Sequence, residues 1–133
     1  MSRINDKIQE IEKFLEELEP IIPENFEEYK INLQLKAACE RYFEKIIEAT
    51  VDLAFLIIRN KELEKPKDDE NAFYILYKNN IILKELCQNL KAAKGMKNII
   101  AHQYGKIDDE KVFNSLKEEL INDINSFIKE VNK

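Results

Sequence analysis

A chain of 133 residues and 15.8 kDa has the size of a single domain, and its 2 Gly and 3 Pro are too few for a turn-rich barrel or sandwich. With 44% hydrophobic and 35% charged residues it suits a small helical core, and collagen-like, disulfide-scaffold and disordered classes are excluded. A net charge of -5 and a pI of about 5.1 argue, for the chain taken whole, against a nucleic-acid partner.

The hydrophobic spacing predicts about five helices in one domain, 1–133, packed as an up-down antiparallel all-α bundle. The first covers roughly residues 3–19, where Ile4, Ile8, Ile11, Leu15 and Leu18 form one apolar stripe ended by Pro20 and Pro23. Asn25 and Glu28 resemble a capping box for a long second helix, about Phe26 to Arg59. Leu35, Cys39, Tyr42, Ile46, Ala49, Leu53 and Ile57 form its main stripe. Leu33, Ala37, Phe43, Ile47, Ala54 and Ile58 widen that stripe, so more than one neighbour must cover the helix. Unbroken, it would span roughly 50 Å at 1.5 Å per residue. That is too long for so small a domain, and a kink near residues 30–34 or an end covered by a partner subunit is expected.

The polar stretch 61–71, with Pro66, reads as a loop. Asp68 or Asp69 then caps a short third helix carrying Ala72, Phe73, Leu76 and Tyr77, which Asn79 and Asn80 end. The fourth helix runs from about Leu83 to Ala101. It holds an interior glycine, Gly95, of the kind that permits close approach of a backbone or ligand, and Gly105 ends the element. Asp108 caps the fifth helix, striped by Val112, Phe113, Leu116, Leu120, Ile124, Phe127 and Val131. Cys39 and Cys87 fall within apolar helical patterns and lack metal spacing, which reads as buried free thiols. The chain shows neither a bilayer-spanning apolar run nor a signal-peptide pattern, and a cytoplasmic location is expected.

Charge is not spread evenly. Residues 84–106 hold five lysines (Lys84, Lys91, Lys94, Lys97 and Lys106) against one acid, Glu85, for +4, and the other 110 residues carry -9. The chain's one histidine, His102, lies inside this basic island. Imidazole is the side chain suited to proton transfer near neutral pH. On a helix, Asn98 shares a face with His102, four residues on, and can orient its ring; Lys94 is one turn before Asn98. Lys97 is about 140° round the axis from His102 at 100° per residue. It reaches a shared phosphate only if the helix end unwinds or its long side chain wraps round. Spacing alone leaves two readings open: an isolated histidine among scattered lysines, or an acid–base site directed at phosphate. Phosphate-binding glycine loops and paired zinc ligands are missing.

The run Gly95-Met96-Lys97-Asn98-Ile99-Ile100-Ala101-His102-Gln103-Tyr104-Gly105-Lys106-Ile107-Asp108 closely resembles the signature of HepT-type toxins of the HEPN superfamily. That signature is an Arg, a polar residue, three further residues, His, any residue and Tyr, with Gly and an apolar residue before it and Ile-Asp after it. The order of helices resembles that family over essentially the whole chain. The resemblance implies an all-α HEPN bundle forming a homodimer whose motif helices meet across the two-fold axis. It implies a metal-independent endoribonuclease, using no cofactor, in which the ribose 2′-OH attacks and a 2′,3′-cyclic phosphate is left.

On that resemblance His102 is the general acid–base and Asn98 its orienting neighbour. Lys97 takes the phosphate-binding place of the motif Arg. Tyr104 is the residue to which an MntA-type nucleotidyltransferase antitoxin would transfer AMP. Two +4 islands joined across a dimer would make a basic cleft in which Lys91, Lys94, Lys97 and Lys106 hold RNA. Unpaired RNA is the expected substrate, because in-line attack by the 2′-OH is easier in a flexible strand. Lysine at position 97 keeps the charge of the motif Arg but not its planar fork. The alternative implied is a catalytically weak or inactive HEPN protein that serves as partner and substrate subunit of the nucleotidyltransferase.

Overall fold

The fold was obtained as a computed structural model and is described for residues 2–102 and 108–133. Gly105, Tyr104, Lys106 and Ile107 therefore lie outside the described residues. The described residues are helical throughout apart from short connections: α1 (Ser2–Leu18), α2 (Phe26–Ile31), α3 (Leu33–Asn60), α4 (Asp69–Lys78), α5 (Lys84–His102), α6 (Asp109–Asn114) and α7 (Ile121–Val131). A single 3-10 turn, Glu19–Ile21, carries Pro20 at the end of α1. The predicted all-α bundle is what forms, with two of the five expected helices divided.

The first division is at Asn32. This residue is extended (φ -94°, ψ 91°), and its backbone N–H closes α2 by donating to the Glu28 carbonyl. Its side-chain oxygen also accepts a hydrogen bond from the Leu35 amide at 3.0 Å, which starts α3. One asparagine thus ends one helix and caps the next, within the window where the length argument requires a kink. Ile31 and Leu33, on either side, are exposed. The other starts follow the same chemistry. Asn25 accepts from Glu28 N–H, Asp68 from Asn71 N–H and Asp108 from Lys111 N–H. Asp68, not Asp69, is therefore the cap of α4. Asn80 ends α4 in the left-handed region at φ 62°, a conformation that asparagine tolerates well. The second division is a π-helical segment, Ser115–Leu120, which joins α6 to α7 without breaking the run of helix.

α3 is the central element, packed against α1 on one side and α4 and α5 on others, as its wide apolar surface requires. Phe43, Ile46, Ile47, Leu53 and Ala54 are buried along it. Thr50, also buried, satisfies its hydroxyl by donating to the Ile46 carbonyl at 2.7 Å. Across the bundle Phe73 of α4 meets Phe127 of α7 edge to face, ring centroids 6.0 Å apart at 89°. At the other end Phe26 and Tyr29 of α2 pack on Phe113 of α6. Cys39 and Cys87 are buried and unpaired, as the apolar context predicts. No described helix is long and apolar enough to cross a membrane.

Candidate functional site

The basic island maps onto α5, whose first part is anchored by buried Leu86, Cys87 and Leu90 and whose last turn holds buried Ile100. Between these anchors the helix is only partly covered. Lys94, Gly95, Met96, Lys97 and Asn98 are half-buried, while Ala92, Ile99 and His102 are exposed. His102 therefore ends the helix with its imidazole accessible, within the last turn.

The three predicted α5 site residues do not form one simple constellation. Lys97 and His102 keep the angular separation expected from their spacing. Asn98 is held from the other direction: its Oδ1 accepts a hydrogen bond from Lys94 Nζ at 3.0 Å. Lys94 in turn pairs with Asp69 Oδ2 of α4 at 3.3 Å, and its side chain is only 12% exposed. Of the lysines expected to hold RNA, Lys91 is exposed, Lys97 is half-buried and Lys94 is engaged within the fold. Lys106 and Tyr104 lie outside the described residues. Asp69, which the sequence offered only as one of two possible caps, is the partner of Lys94 on this face. The available signal was a pair of adjacent acids at a helix start, of which only one can be the cap.

Beside this face, α5 and α6 diverge to leave an open groove of about 540 Å³, lined by Gly95, Met96 and Ile99 on one side and Asp108, Lys111 and Val112 on the other. A Cβ built on Gly95 would meet nothing within 4 Å. The free chain thus offers room for a side chain there, so Gly95→Ala is expected to raise stability by about 1 kcal/mol, the difference in helix propensity. Urea unfolding of the two proteins measures it. Lys36 of α3 fixes the start of α6 through Asp109 at 3.1 Å, which holds the far wall of the groove. Among the described residues no group of three or more His, Cys, Asp or Glu is placed to hold a metal ion.

A family model described as Ribonuclease HepT-like matches residues 4–131. The chain belongs to this HepT-like family. Its relatives include the mRNA nuclease HepT of Shewanella oneidensis, 27% identical over 105 residues, which cover 79% of this chain and 78% of that protein. The tRNA nuclease HepT of Aphanizomenon flos-aquae is 24% identical over 110 residues, 83% of this chain and 75% of its own. Among solved structures, the tri-AMPylated Shewanella oneidensis HEPN toxin in complex with MNT antitoxin superposes with a TM-score of 0.90 at 25% identity, over 97% of this chain and 96% of that one. The HepT-like fold is therefore matched over nearly the whole chain, and α5 carries the signature residues from Gly95 to His102.

Proposed function

We propose that this HepT-like chain is the ribonuclease toxin of a toxin–antitoxin pair, working as a homodimer in the cytoplasm and silenced by AMPylation of Tyr104. The observation that carries the reading is the placement of the signature run: its histidine is exposed at the end of a basic helix in a chain whose matched relatives are named RNA nucleases. In the reaction, neutral His102 accepts the proton of a ribose 2′-OH as that oxygen attacks the adjacent phosphorus. The bond from phosphorus to the 5′ oxygen breaks, the leaving oxygen takes a proton from the imidazolium, and a 2′,3′-cyclic phosphate remains. Lys97 opposes the charge that builds on the non-bridging oxygens. Because Lys97 and His102 point apart on one helix, two copies facing each other across α5 supply the cleft in which cation and imidazole converge, with Lys91 on its rim. None of these steps draws on a metal ion, and cleavage is expected to persist in EDTA.

Silencing is read from the same signature run. The Tyr104 hydroxyl attacks the α-phosphorus of ATP on an MntA-type nucleotidyltransferase and gives up its proton to solvent, pyrophosphate leaves, and the tyrosine carries a phosphodiester two residues from His102 in the sequence. An added anion so near His102 in the sequence would compete with the RNA phosphate for the basic island. Incubation with the antitoxin and ATP is expected to raise the intact mass by one or more AMP units, and Tyr104→Phe is expected to abolish the shift. An unchanged shift in that variant places the modification elsewhere.

A second reading rests on Lys97. An ammonium is a point charge without the bidentate fork of the motif Arg, and loss of one charge-assisted hydrogen bond costs about 1.5–3 kcal/mol. On this reading the chain is a weak or inactive nuclease and serves mainly as partner and substrate of the nucleotidyltransferase. Lys97→Arg separates the two. An active site at Lys97 predicts cleavage faster by about tenfold or more, the rate equivalent of that energy. No gain removes Lys97 from the phosphate.

A further inference from the structure

Lys94 is unlike its neighbours in the basic island. Its ammonium lies between Asp69 Oδ2 at 3.3 Å and Asn98 Oδ1 at 3.0 Å, with 12% of the side chain exposed. An ammonium has donors only, so the Asn98 atom facing it must be the carbonyl oxygen, and the amide cannot be flipped without losing the bond. With Oδ1 taken by Lys94, the Asn98 NH2 is the part of the amide left to serve another partner, and as a donor it can serve only an acceptor. Asn98 stands one turn before His102 on the same helix. The acceptors that a cleavage site offers there are an unprotonated imidazole nitrogen and a phosphate oxygen.

We propose that Asp69 and Lys94 are positioning residues for the site: Asp69 of α4 holds Lys94, and Lys94 locks the Asn98 amide with its donors toward His102. This rests on the nuclease reading above and changes one part of it, because Lys94 then acts through Asn98 and not on the RNA backbone. It also gives α4 a role in the chemistry. Asp68 caps that helix, which leaves the adjacent Asp69 available to reach α5. The Lys94 side chain is largely shielded from water, while that of Asp69 stays 44% exposed.

The two roles for Lys94 make opposite predictions for Asp69→Asn. If Lys94 binds phosphate, removing its carboxylate partner frees a cation, so KM falls, the salt dependence of binding steepens and kcat is unchanged. If Asp69 and Lys94 position Asn98, kcat falls about tenfold, the lower end of what outer partners of a site contribute, while KM and the salt slope stay put. Asp69→Glu, which keeps the carboxylate, restores most of kcat. A fall in KM at constant kcat overturns the proposal.

A second readout does not depend on cleavage. His102 is the chain's one histidine, so its imidazole 15N signals need no assignment and report its tautomer directly. Asp69→Asn and Lys94→Met are each expected to shift that tautomer balance without unfolding the bundle, as judged by circular dichroism. Unchanged imidazole signals in both variants overturn the positioning role, even if the chain cuts no RNA. Conversely, cleavage that survives His102→Ala defeats the nuclease reading and leaves the imidazole result to stand alone.

Discussion

His102→Ala is expected to lower kcat for RNA cleavage by about 10²- to 10⁴-fold, the usual contribution of a positioned acid–base group. KM should change little, since the imidazole handles protons and the lysines hold the strand. The histidine is exposed on the final turn of α5 and is not part of the core, so truncation leaves no cavity and the melting curve should match that of the parent. This separation of activity from stability makes the variant decisive. The assay is single-turnover cleavage of a labelled unpaired RNA in EDTA, with product ends examined for cyclic phosphate. Cleavage at the parental rate would place the acid–base group elsewhere.

The largest stability effect is expected at Phe127. Its side chain is fully buried, and its ring meets Phe73 edge to face, so it ties α7 to α4 across the bundle. Phe127→Ala removes the transfer energy of the ring and leaves a void, at a cost of about 3–5 kcal/mol. A domain of this size has about 5–15 kcal/mol in total. The urea midpoint should therefore drop by a large fraction of its value with the slope of the transition unchanged. Phe73→Ala should cost a similar amount. The double variant should cost less than the sum, because the edge-to-face contact, about 0.5–1.5 kcal/mol, is counted in each single loss. Additive losses would show that the two rings stabilise the core independently.

What could be read in the sequence follows from how local each determinant is. The stripes of α1 and α7 were legible because burial spacing repeats within a few turns, and Ile8, Ile11, Leu15, Ile124 and Phe127 are buried accordingly. The break in the long second helix was legible as a matter of length, but its residue was not. Asn32 reads as an ordinary polar position until its side chain is seen turning back to cap α3. The π segment leaves no mark in the spacing, since the stripe through Leu116, Leu120 and Ile124 suits an ordinary helix. At the site, the angular gap between Lys97 and His102 follows from helix geometry alone. The Lys94 pair with Asp69 does not, because it depends on how α4 docks on α5, 25 residues apart in the chain.

The two buried thiols give the fold built-in clocks. Burial pushes the Cys39 thiol up to about 11, and Cys87 is also raised by burial, though Lys91 works against it. Near neutral pH little thiolate exists at either position, and no reagent can approach while the helices stay packed. Reaction with a thiol probe must then wait for an opening event, and its rate counts such events. Cys39 on α3 reports the centre of the bundle, and Cys87 on α5 reports the helix that carries His102. If the two react at different rates, α5 and the scaffold open separately.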